Sequence, residues 1–526
     1  MNTRQQLLAI CDRLLGWLLA AVILGATLGF GGTAWWFRPW LAAGVTALVL
    51  LKLFHDMLIG RTPILKTPLG LLGLAALGLA VVQMAPLPGR LAERLSPTAR
   101  AAYTRGALPD LVHADDSEAV IAEAPPIRSP ASLDRAATLH WLVPAAACLA
   151  IFWCTSHYTD RLGKLYLVWG AVIAGFMLNT ALAVVQVSSR AEGLYGYCSP
   201  GAGAPWWGPD VNDLLDAPST AALRDLPEPA VGSTLAPPTP GAYVAVTRPF
   251  VFGTLPGGVG GFLAMGAMAL PLALAIVVHL GSPRGSRESW ADRLGHSSQG
   301  SLIVLTSILL VLGCGLVGLA SGPWFCLPFV VGLTLVGLPA TILPGARRLA
   351  FGLTLVALLA LGTGVGLGAY WTDVMGTAPP LQAPDWRTHR EVWIEAARIF
   401  KKFPIVGVGL GGFGAIEPYF KGRDLASNTA MSSLLQWGVE AGAVGLGLLA
   451  LAGLWCLVRL PGGLMRLGSM DRFLAFGLIG AVAGFSLLAV IHWTVELTAV
   501  AVSASALGGT WNRWLAGGTD LFVERG

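Results

Sequence analysis

Residues 301–320 read SLIVLTSILLVLGCGLVGLA, a run of twenty residues without a charged side chain. A helix of about 20 apolar residues is long enough to cross the hydrocarbon core of a bilayer. Similar runs recur along most of the 526-residue chain, which is 55% hydrophobic and 12% charged. Soluble domains have about 25% charged residues. The composition therefore excludes a disordered or collagen-like chain and predicts an all-α, polytopic membrane protein.

Twelve stretches of the sequence satisfy or nearly satisfy this length criterion, so we expect about 12 transmembrane helices. The first follows Arg4 and Arg13 and has no clear small-residue cleavage site after it, so we expect it to be retained. The expected helices lie at about 14–30, 37–54, 68–84, 138–154, 163–187, 258–279, 301–320, 324–344, 349–370, 435–458, 473–492 and 496–514.

Three long segments, 85–137, 188–257 and 371–434, divide these stretches into four groups. The first segment has a helix-like stretch followed by an acidic, proline-rich tail, and the second has no periodicity and is expected to be an irregular loop. The groups are three helices within 1–84, two within 138–187, four within 258–370 and three within 435–526.

Lysine and arginine are concentrated in alternate short loops, which indicates the topology because basic loops resist translocation. The short turns near Ser321 and Trp493 carry none. We therefore expect both termini in the cytoplasm and all three long segments outside. The basic residues expected inside are Lys52, Arg61, Lys66, Arg161, Lys164, Arg284, Arg287, Arg293, Arg347, Arg348, Arg459, Arg466 and Arg472.

The third long segment contains an amphipathic helix, predicted over 387–403 and expected to lie along the outer membrane face. Pro404 ends it, because a proline disfavours helical geometry in the residue before it. Its charged residues, among them Arg390 and Arg398, fall largely on a different face. The apolar residues that recur at helical spacing are Val392, Trp393, Ala396, Ala397, Ile399, Phe400 and Phe403.

Residues 385–424 hold seven basic and five acidic side chains on the side where the topology does not select for basic residues. Arginine offers a rigid fork of donors that suits phosphate oxygens, so an anionic substrate such as a pyrophosphate is one interpretation. The alternative is a solvated helix face with ion pairs one turn apart, which contacts lipid headgroups.

A glycine-rich run occupies 407–414, where Gly409, Gly411 and Gly414 satisfy the pattern G-x-G-x-x-G. A dinucleotide site needs this pattern between a strand and a helix in a βαβ unit, and no such unit is predicted here. We expect a flexible backbone turn that lets the chain approach a substrate or re-enter the membrane edge.

The region from Trp393 to Gly445 resembles the signature loop and following helix of the O-antigen ligase and polysaccharide polymerase family. Residues 83–88 and 95–97 resemble the opening of the family's first outside segment, and His492 to Glu496 resembles its late His-x-x-x-acid pattern. The residues that stand at the expected intervals are Trp393, Ala396, Pro404, Gly407, Gly409, Gly411, Phe413, Tyr419, Asn428, Leu434, Glu440, Gly442 and Gly445.

The resemblance implies a glycosyltransferase with about a dozen helices in the bacterial inner membrane. Its donor would be a polyprenyl-pyrophosphate-linked glycan and its acceptor a hydroxyl on the periplasmic face, with membrane lipid as a partner. No metal, cofactor or nucleic acid is expected. Either Arg387 or Arg390 corresponds to the family's arginine before the tryptophan, and the spacing does not decide between them. The substrate-binding residues implied are Trp393, Gly409, Gly411, Arg423, Ser427 and Asn428.

The chain departs from the family where a histidine usually precedes Asn428, because Ser427 stands there. A serine of ordinary pKa cannot replace an imidazole as base. The other base candidates are His389, Glu417, Glu440 and His492. For Glu440 the alternative is a helix-end residue paired with a loop arginine. For His492 it is a polar pair with Glu496 that holds two helices together.

Two other functions compete with glycosyl transfer. Loss of the histidine at 427 is compatible with an inactive homologue that acts as a scaffold for envelope assembly. A transporter is the second alternative, but it would need charged or broken helices near the bilayer centre, and the expected spans hold few charges.

Overall fold

The computed structural model describes residues 3–29, 37–60, 67–105, 128–189, 259–281, 298–342, 347–375, 386–420, 429–468, 471–492 and 498–517. These residues are almost entirely helical and contain one small antiparallel pair of two-residue strands. Nine of the helices in these ranges are long and apolar enough to cross a membrane. The chain is therefore an all-α, polytopic membrane protein, as predicted.

The first half of the described chain contains seven helices and the two short strands. Their bounds are α1 Thr3–Leu28, α2 Phe37–Ile59, α3 Pro68–Met84, β1 Leu87–Pro88, α4 Gly89–Leu95, α5 Pro97–Arg105, β2 Arg128–Ser129, α6 Arg135–Tyr158 and α7 Leu162–Ser189.

The second half contains nine helices and one 3₁₀ turn, Glu417–Tyr419. The helices are α8 Val259–Gly281, α9 Ser298–Phe325, α10 Leu327–Ile342, α11 Arg347–Met375, α12 Trp386–Lys402, α13 Phe413–Ile416, α14 Ser433–Met465, α15 Asp471–Ile491 and α16 Thr498–Leu515.

Each of the twelve predicted apolar stretches coincides with one of these helices. Two of them are short for a membrane-spanning helix, because α3 has 17 residues and α10 has 16. A helix of about 17 residues is at the lower limit for crossing the hydrocarbon core. The presence of a helix at each stretch is therefore confirmed, whereas the number of crossings remains a prediction.

The end of α2 differs from the prediction. The predicted stretch ends at 54 and Lys52 is counted among the cytoplasmic basic residues, but α2 continues to Ile59 and Lys52 is buried inside it. Lys52 forms an ion pair with Asp56, one helical turn later and equally buried. Because each charge neutralises the other, the helix can extend past a residue that a hydropathy window assigns to a loop.

The core of the bundle is α8, which is almost entirely buried among α7, α9, α10 and α15. Small residues allow the helices to approach closely where they cross. A Cβ atom at Gly318 of α9 would lie 2.1 Å from the carbonyl oxygen of Leu361 on α11. A Cβ atom at Gly364 of α11 would lie equally close to the carbonyl oxygen of Gly315 on α9. These positions therefore exclude any larger residue.

The described parts of the first long segment, residues 85–105 and 128–137, contain more secondary structure than the sequence indicated. The predicted helix-like stretch forms α4 and α5, and β1 pairs antiparallel with β2, with Leu87 opposite Ser129. Tyr103 of α5 donates a hydrogen bond to the carbonyl oxygen of Ser132 over 2.7 Å. Partial burial raises the pKa of Tyr103, so its hydroxyl remains a donor at neutral pH.

The amphipathic helix α12 is present over Trp386–Lys402, close to its predicted bounds. Its apolar face is covered by protein, which contributes Ala99 of α5, Phe413, Ile416 and Met431 to the same cluster. The buried residues of α12 in this cluster are Val392, Ala396, Ile399 and neighbouring Phe403. The helix is therefore fixed to the bundle by its apolar face, and its described charged residues are exposed except for Glu395, which is buried.

Candidate functional site

Most of the described candidate residues lie where helix ends meet at one end of the bundle. The carboxyl ends of α3, α9 and α15 and the amino ends of α6 and α14 all meet the segment that contains α12. This grouping agrees with the predicted alternation of loops, which places all these ends on one side. The contacts that join them are Gln83 to Glu440, Phe325 to His389, Leu133 to Val408 and Ser433 to His492.

Helix α14 is broken at Gly442, whose φ of 65° and ψ of −162° are not helical. The segment after α12 supplies the hydrogen bonds that the break removes from the helix. The amide of Ala443 donates to the carbonyl of Pro404 over 2.8 Å, and that of Val444 donates to Ile405 over 3.1 Å. The neighbouring stretch of backbone thus accepts the hydrogen bonds of the peptide groups that the kink leaves without a helical partner, as buried peptide groups require.

The same stretch of backbone also donates hydrogen bonds to α14. The amide of Val408 donates to the carbonyl of Val439 over 3.0 Å, and that of Gly409 to the carbonyl of Glu440 over 3.2 Å. We call the contact between residues 404–411 and 439–444 the loop junction. Four main-chain hydrogen bonds across it tie the end of α12 to α14.

Two glycines of the run 407–414 are required by this close approach. Gly407 and Gly409 have φ values of 73° and 109°, which side chains rarely adopt. A Cβ atom at Gly407 would lie 2.3 Å from the carbonyl oxygen of Glu440, and one at Gly409 would lie 2.2 Å from Ser132 Oγ. The run packs against protein on both sides and is preceded by a helix, so its described surroundings are not those of a dinucleotide site.

Glu440 is buried at the centre of the loop junction. Its Oε2 accepts a hydrogen bond from the amide of Gly411 over 2.8 Å, and its Oε1 accepts from the amide of Phe413 over 3.2 Å. Gln436, one turn earlier, donates its Nε2 to Oε1 over 3.0 Å. The sequence offered Glu440 either as a base or as a partner of a loop arginine, and its described partners are amides rather than an arginine. This geometry makes Glu440 a positioning residue for the glycine-rich run.

Gln83, the last polar residue of α3, was not among the predicted site residues. It is fully buried, and its Nε2 donates to the carbonyls of Val406 and Glu440 over 2.6 and 2.8 Å. Its Oε1 accepts from the amide of Leu410 over 3.1 Å. One amide side chain therefore joins α3 to both sides of the loop junction. The available signal was that Gln83 is the one polar side chain in the apolar helix PLGLLGLAALGLAVVQM.

His389 and His492 form a second buried group, which we call the histidine pair. Their ring centroids are 5.5 Å apart at an interplanar angle of 61°. Phe325 packs against both rings, at 5.2 Å from His389 and 5.5 Å from His492. Trp393 packs edge-on against His389 at 6.3 Å. Three elements of the chain, α9, α12 and the end of α15, thus enclose two imidazoles in an aromatic environment.

The backbone beside the histidine pair is also fixed. Ser432 caps α14 by accepting from the amide of Leu435, and its hydroxyl donates to the carbonyl of Val490 over 2.6 Å. The amide of Ser433 donates to the carbonyl of His492 over 3.3 Å. The start of α14 and the end of α15 therefore hold each other in place, which fixes the position of His492.

The predicted site residues lie in different parts of the structure. Glu440, Gly409 and Gly411 lie in the loop junction, and His492 and Trp393 lie with His389. Arg390 is exposed on the outward face of α12, while its neighbour His389 is buried. Glu417, the remaining base candidate, is also buried. The side chains of Arg387, Arg423, Ser427, Asn428 and Glu496 lie outside the described residues.

No family model matches the chain, and no curated protein or solved structure matches it either. The functional interpretation therefore depends on the residues and their geometry.

Proposed function

We propose that this protein is a glycosyltransferase of the bacterial inner membrane, of the O-antigen ligase and polymerase type. It would transfer a glycan from a polyprenyl-pyrophosphate carrier to an acceptor hydroxyl on the periplasmic face. The observation that carries the proposal is the arrangement of two consecutive residues on one fixed helix. Arg390 is exposed at the protein surface, and His389 next to it is buried against a second histidine.

This arrangement meets the two chemical requirements of the transfer. The acceptor oxygen forms a bond with the anomeric carbon, and the bond from that carbon to the pyrophosphate breaks. The pyrophosphate leaves with the electron pair, so it needs cationic donors, for which a guanidinium is suited. The acceptor proton needs a base within hydrogen-bond reach, and an imidazole has a suitable ordinary pKa near 6.5.

Arg387 and Arg390 would bind the pyrophosphate in this reaction. They are three residues apart on α12, and positions at this spacing share one helix face. Trp393 supports the histidine side of the site. Arg423, Ser427 and Asn428 would complete the substrate contacts, as the family resemblance implies.

The loop junction would supply the rigidity that the site needs. A catalytic constellation must be held within about 0.5 Å of its productive geometry, and this requires support from residues that do not touch substrate. Gln83 and Glu440 provide it through six side-chain hydrogen bonds to Val406, Leu410, Gly411, Phe413, Gln436 and the Glu440 carbonyl. We propose that twelve crossings, with both termini in the cytoplasm, place this end of the bundle outside.

One observation favours a transporter instead. The ion pair of Lys52 and Asp56 is buried within a candidate membrane span, where ionisable residues often mark an ion pathway. Transporters also use broken helices, whose exposed backbone binds the substrate. At Gly442, however, the protein's own residues 404–409 occupy the break. The broken helix therefore offers no vacant backbone there, and we retain the transporter as the second candidate.

The decisive experiment replaces Arg387 and Arg390 together with alanine in the full-length protein. The matched control replaces Arg398 and Lys401 in the same way. This change removes the same charge from a later part of the same helix. Transfer from labelled polyprenyl-pyrophosphate glycan to acceptor is measured in membranes, with protein level and insertion checked. We expect the first variant to lose about 100-fold or more, in line with the removal of transition-state donors. The control is expected to retain transfer.

Normal transfer by the Arg387 and Arg390 variant would refute the proposal. Equal losses in both variants would also refute it, because general attraction by the charged helix face would then explain the effect.

A further inference from the structure

We infer that His389 and His492 act together in this reaction, with His492 as the base that takes the proton of the acceptor hydroxyl and His389 as the residue that positions it. The inference rests on the proposed function and deepens it, because it assigns the base to two residues that the fold brings together. It also accounts for Ser427, since a base supplied by the histidine pair makes a histidine at that position unnecessary.

The geometry that supports this inference is the contact between two imidazoles from separate parts of the chain. His389 lies in the first turn of α12, and His492 follows the last turn of α15. Their centroids are 5.5 Å apart, and their side chains are 0% and 7% exposed. His492 is the less buried member of the pair, so the inference assigns the base to it.

The charges around the histidine pair are few. Among the described residues, α9, α10 and the part of α15 after Arg472 carry none, and the nearby part of α14 carries only Glu440. On α12 the charged residues nearest in sequence to His389 are Arg387, Arg390 and Glu391, of which Arg390 and Glu391 are exposed, and Glu395 further along is buried. Glu417, in the 3₁₀ turn that packs against α12, is also buried. Two imidazolium ions in such a contact would repel each other.

The reaction step balances with one proton transferred. The acceptor oxygen attacks the anomeric carbon as the bond to the pyrophosphate oxygen breaks, and the pyrophosphate takes the electron pair. The hydroxyl proton passes to the neutral imidazole of His492. His389 stabilises the resulting imidazolium by orienting its ring, so it serves as the positioning residue and His492 as the base.

The test compares His389→Gln, His492→Gln and the double variant in full-length protein reconstituted into liposomes. The matched control is His140→Gln, which changes an exposed histidine at the same end of the bundle. Initial transfer rates are measured from pH 5 to 9 with labelled polyprenyl-pyrophosphate glycan. Binding of the same lipid is measured separately.

We expect each single variant to lose about 100-fold in rate, the typical effect of removing a general base. The double variant should lose little more than the worse single variant, because residues that act as a unit are not additive. The wild-type rate should rise with pH through the range where imidazole loses its proton, and this acidic limb should disappear in the variants. The His140 variant and donor binding should be unchanged.

The experiment distinguishes failure of the proposed function from failure of this inference. If the wild type neither binds the donor nor transfers the glycan, the proposed function fails and the inference fails with it. If the wild type transfers and both histidine variants keep their rate and acidic limb, only the inference is wrong.

A further double variant distinguishes loss of the chemistry from loss of packing. His389→Phe with His492→Phe retains ring packing against Phe325, so it tests the chemistry if the glutamine variants do not insert. We expect it to insert, bind the donor and remain inactive. Activity with an intact acidic limb would overturn the inference.

Discussion

Replacement of Gln83 by leucine tests whether one amide side chain holds the loop junction together. Leucine has a similar volume, so the change removes hydrogen bonds without creating a large cavity. The carbonyl of Val406 and the amide of Leu410 would lose their described partner in a buried position. The carbonyl of Glu440 would retain its bond from the amide of Gly409. Two main-chain groups are therefore left unsatisfied.

Each buried polar group left without a partner costs about 1–3 kcal/mol, so we expect Gln83→Leu to lower the free energy of unfolding by about 2–6 kcal/mol. This is a large part of the roughly 5–15 kcal/mol that stabilises a typical protein. The assay is equilibrium unfolding in mixed micelles by titration with sodium dodecyl sulfate, followed by far-UV circular dichroism.

The matched control is Val82→Ala, a change at the neighbouring, half-exposed position of the same helix. We expect a change within about 0.5 kcal/mol, as is usual for exposed positions. A loss of less than about 0.5 kcal/mol for Gln83→Leu would refute the role assigned to the amide. So would a loss that the control variant shares.

Two further changes are measured by the same titration. Gly409→Ala forces a Cβ atom to 2.2 Å from Ser132 Oγ at a positive φ, so we expect a loss of about 1–3 kcal/mol or more, whereas Gly447→Ala on α14 meets open space and should be tolerated. A neutral Gly409→Ala would contradict the close packing of the junction. Lys52→Met should cost about 3–5 kcal/mol, because it leaves Asp56 buried without its cation. Addition of Asp56→Leu should recover most of that loss, and failure to recover it would indicate that the pair does more than neutralise itself.

The helices could be predicted because, in a membrane, whether a segment forms a helix depends mainly on the residues of that segment. Backbone groups in hydrocarbon must be satisfied within the segment, so an apolar run of sufficient length becomes a helix whatever surrounds it. The amphipathic helix was predicted for a similar reason. Its apolar residues recur at helical spacing, and Pro404 follows its end at Lys402. These signals need no knowledge of the partner surface.

The site was less predictable because its contacts join distant residues. Gln83 bonds to main-chain groups of residues 406 and 440, and nothing in the apolar sequence around Gln83 specifies those partners. His389 was one of four base candidates, and its contact with His492 depends on how α12 docks against α15. Lys52 was assigned to a cytoplasmic loop because its charge was considered by itself. The aspartate that neutralises it lies one turn later in the same helix.

The docking of α12 determines what its two consecutive residues can do. Successive residues on an α-helix are about 100° apart, and with the apolar face fixed position 389 is buried whereas position 390 is exposed. Val392, Ala396 and Ile399 fix that face, and the loop junction fixes the end of the helix. The histidine is thereby directed inward and the arginine outward. A rotation of α12 by one position would bury the arginine and expose the imidazole, so the packing of this helix controls both chemical roles in the proposed transfer.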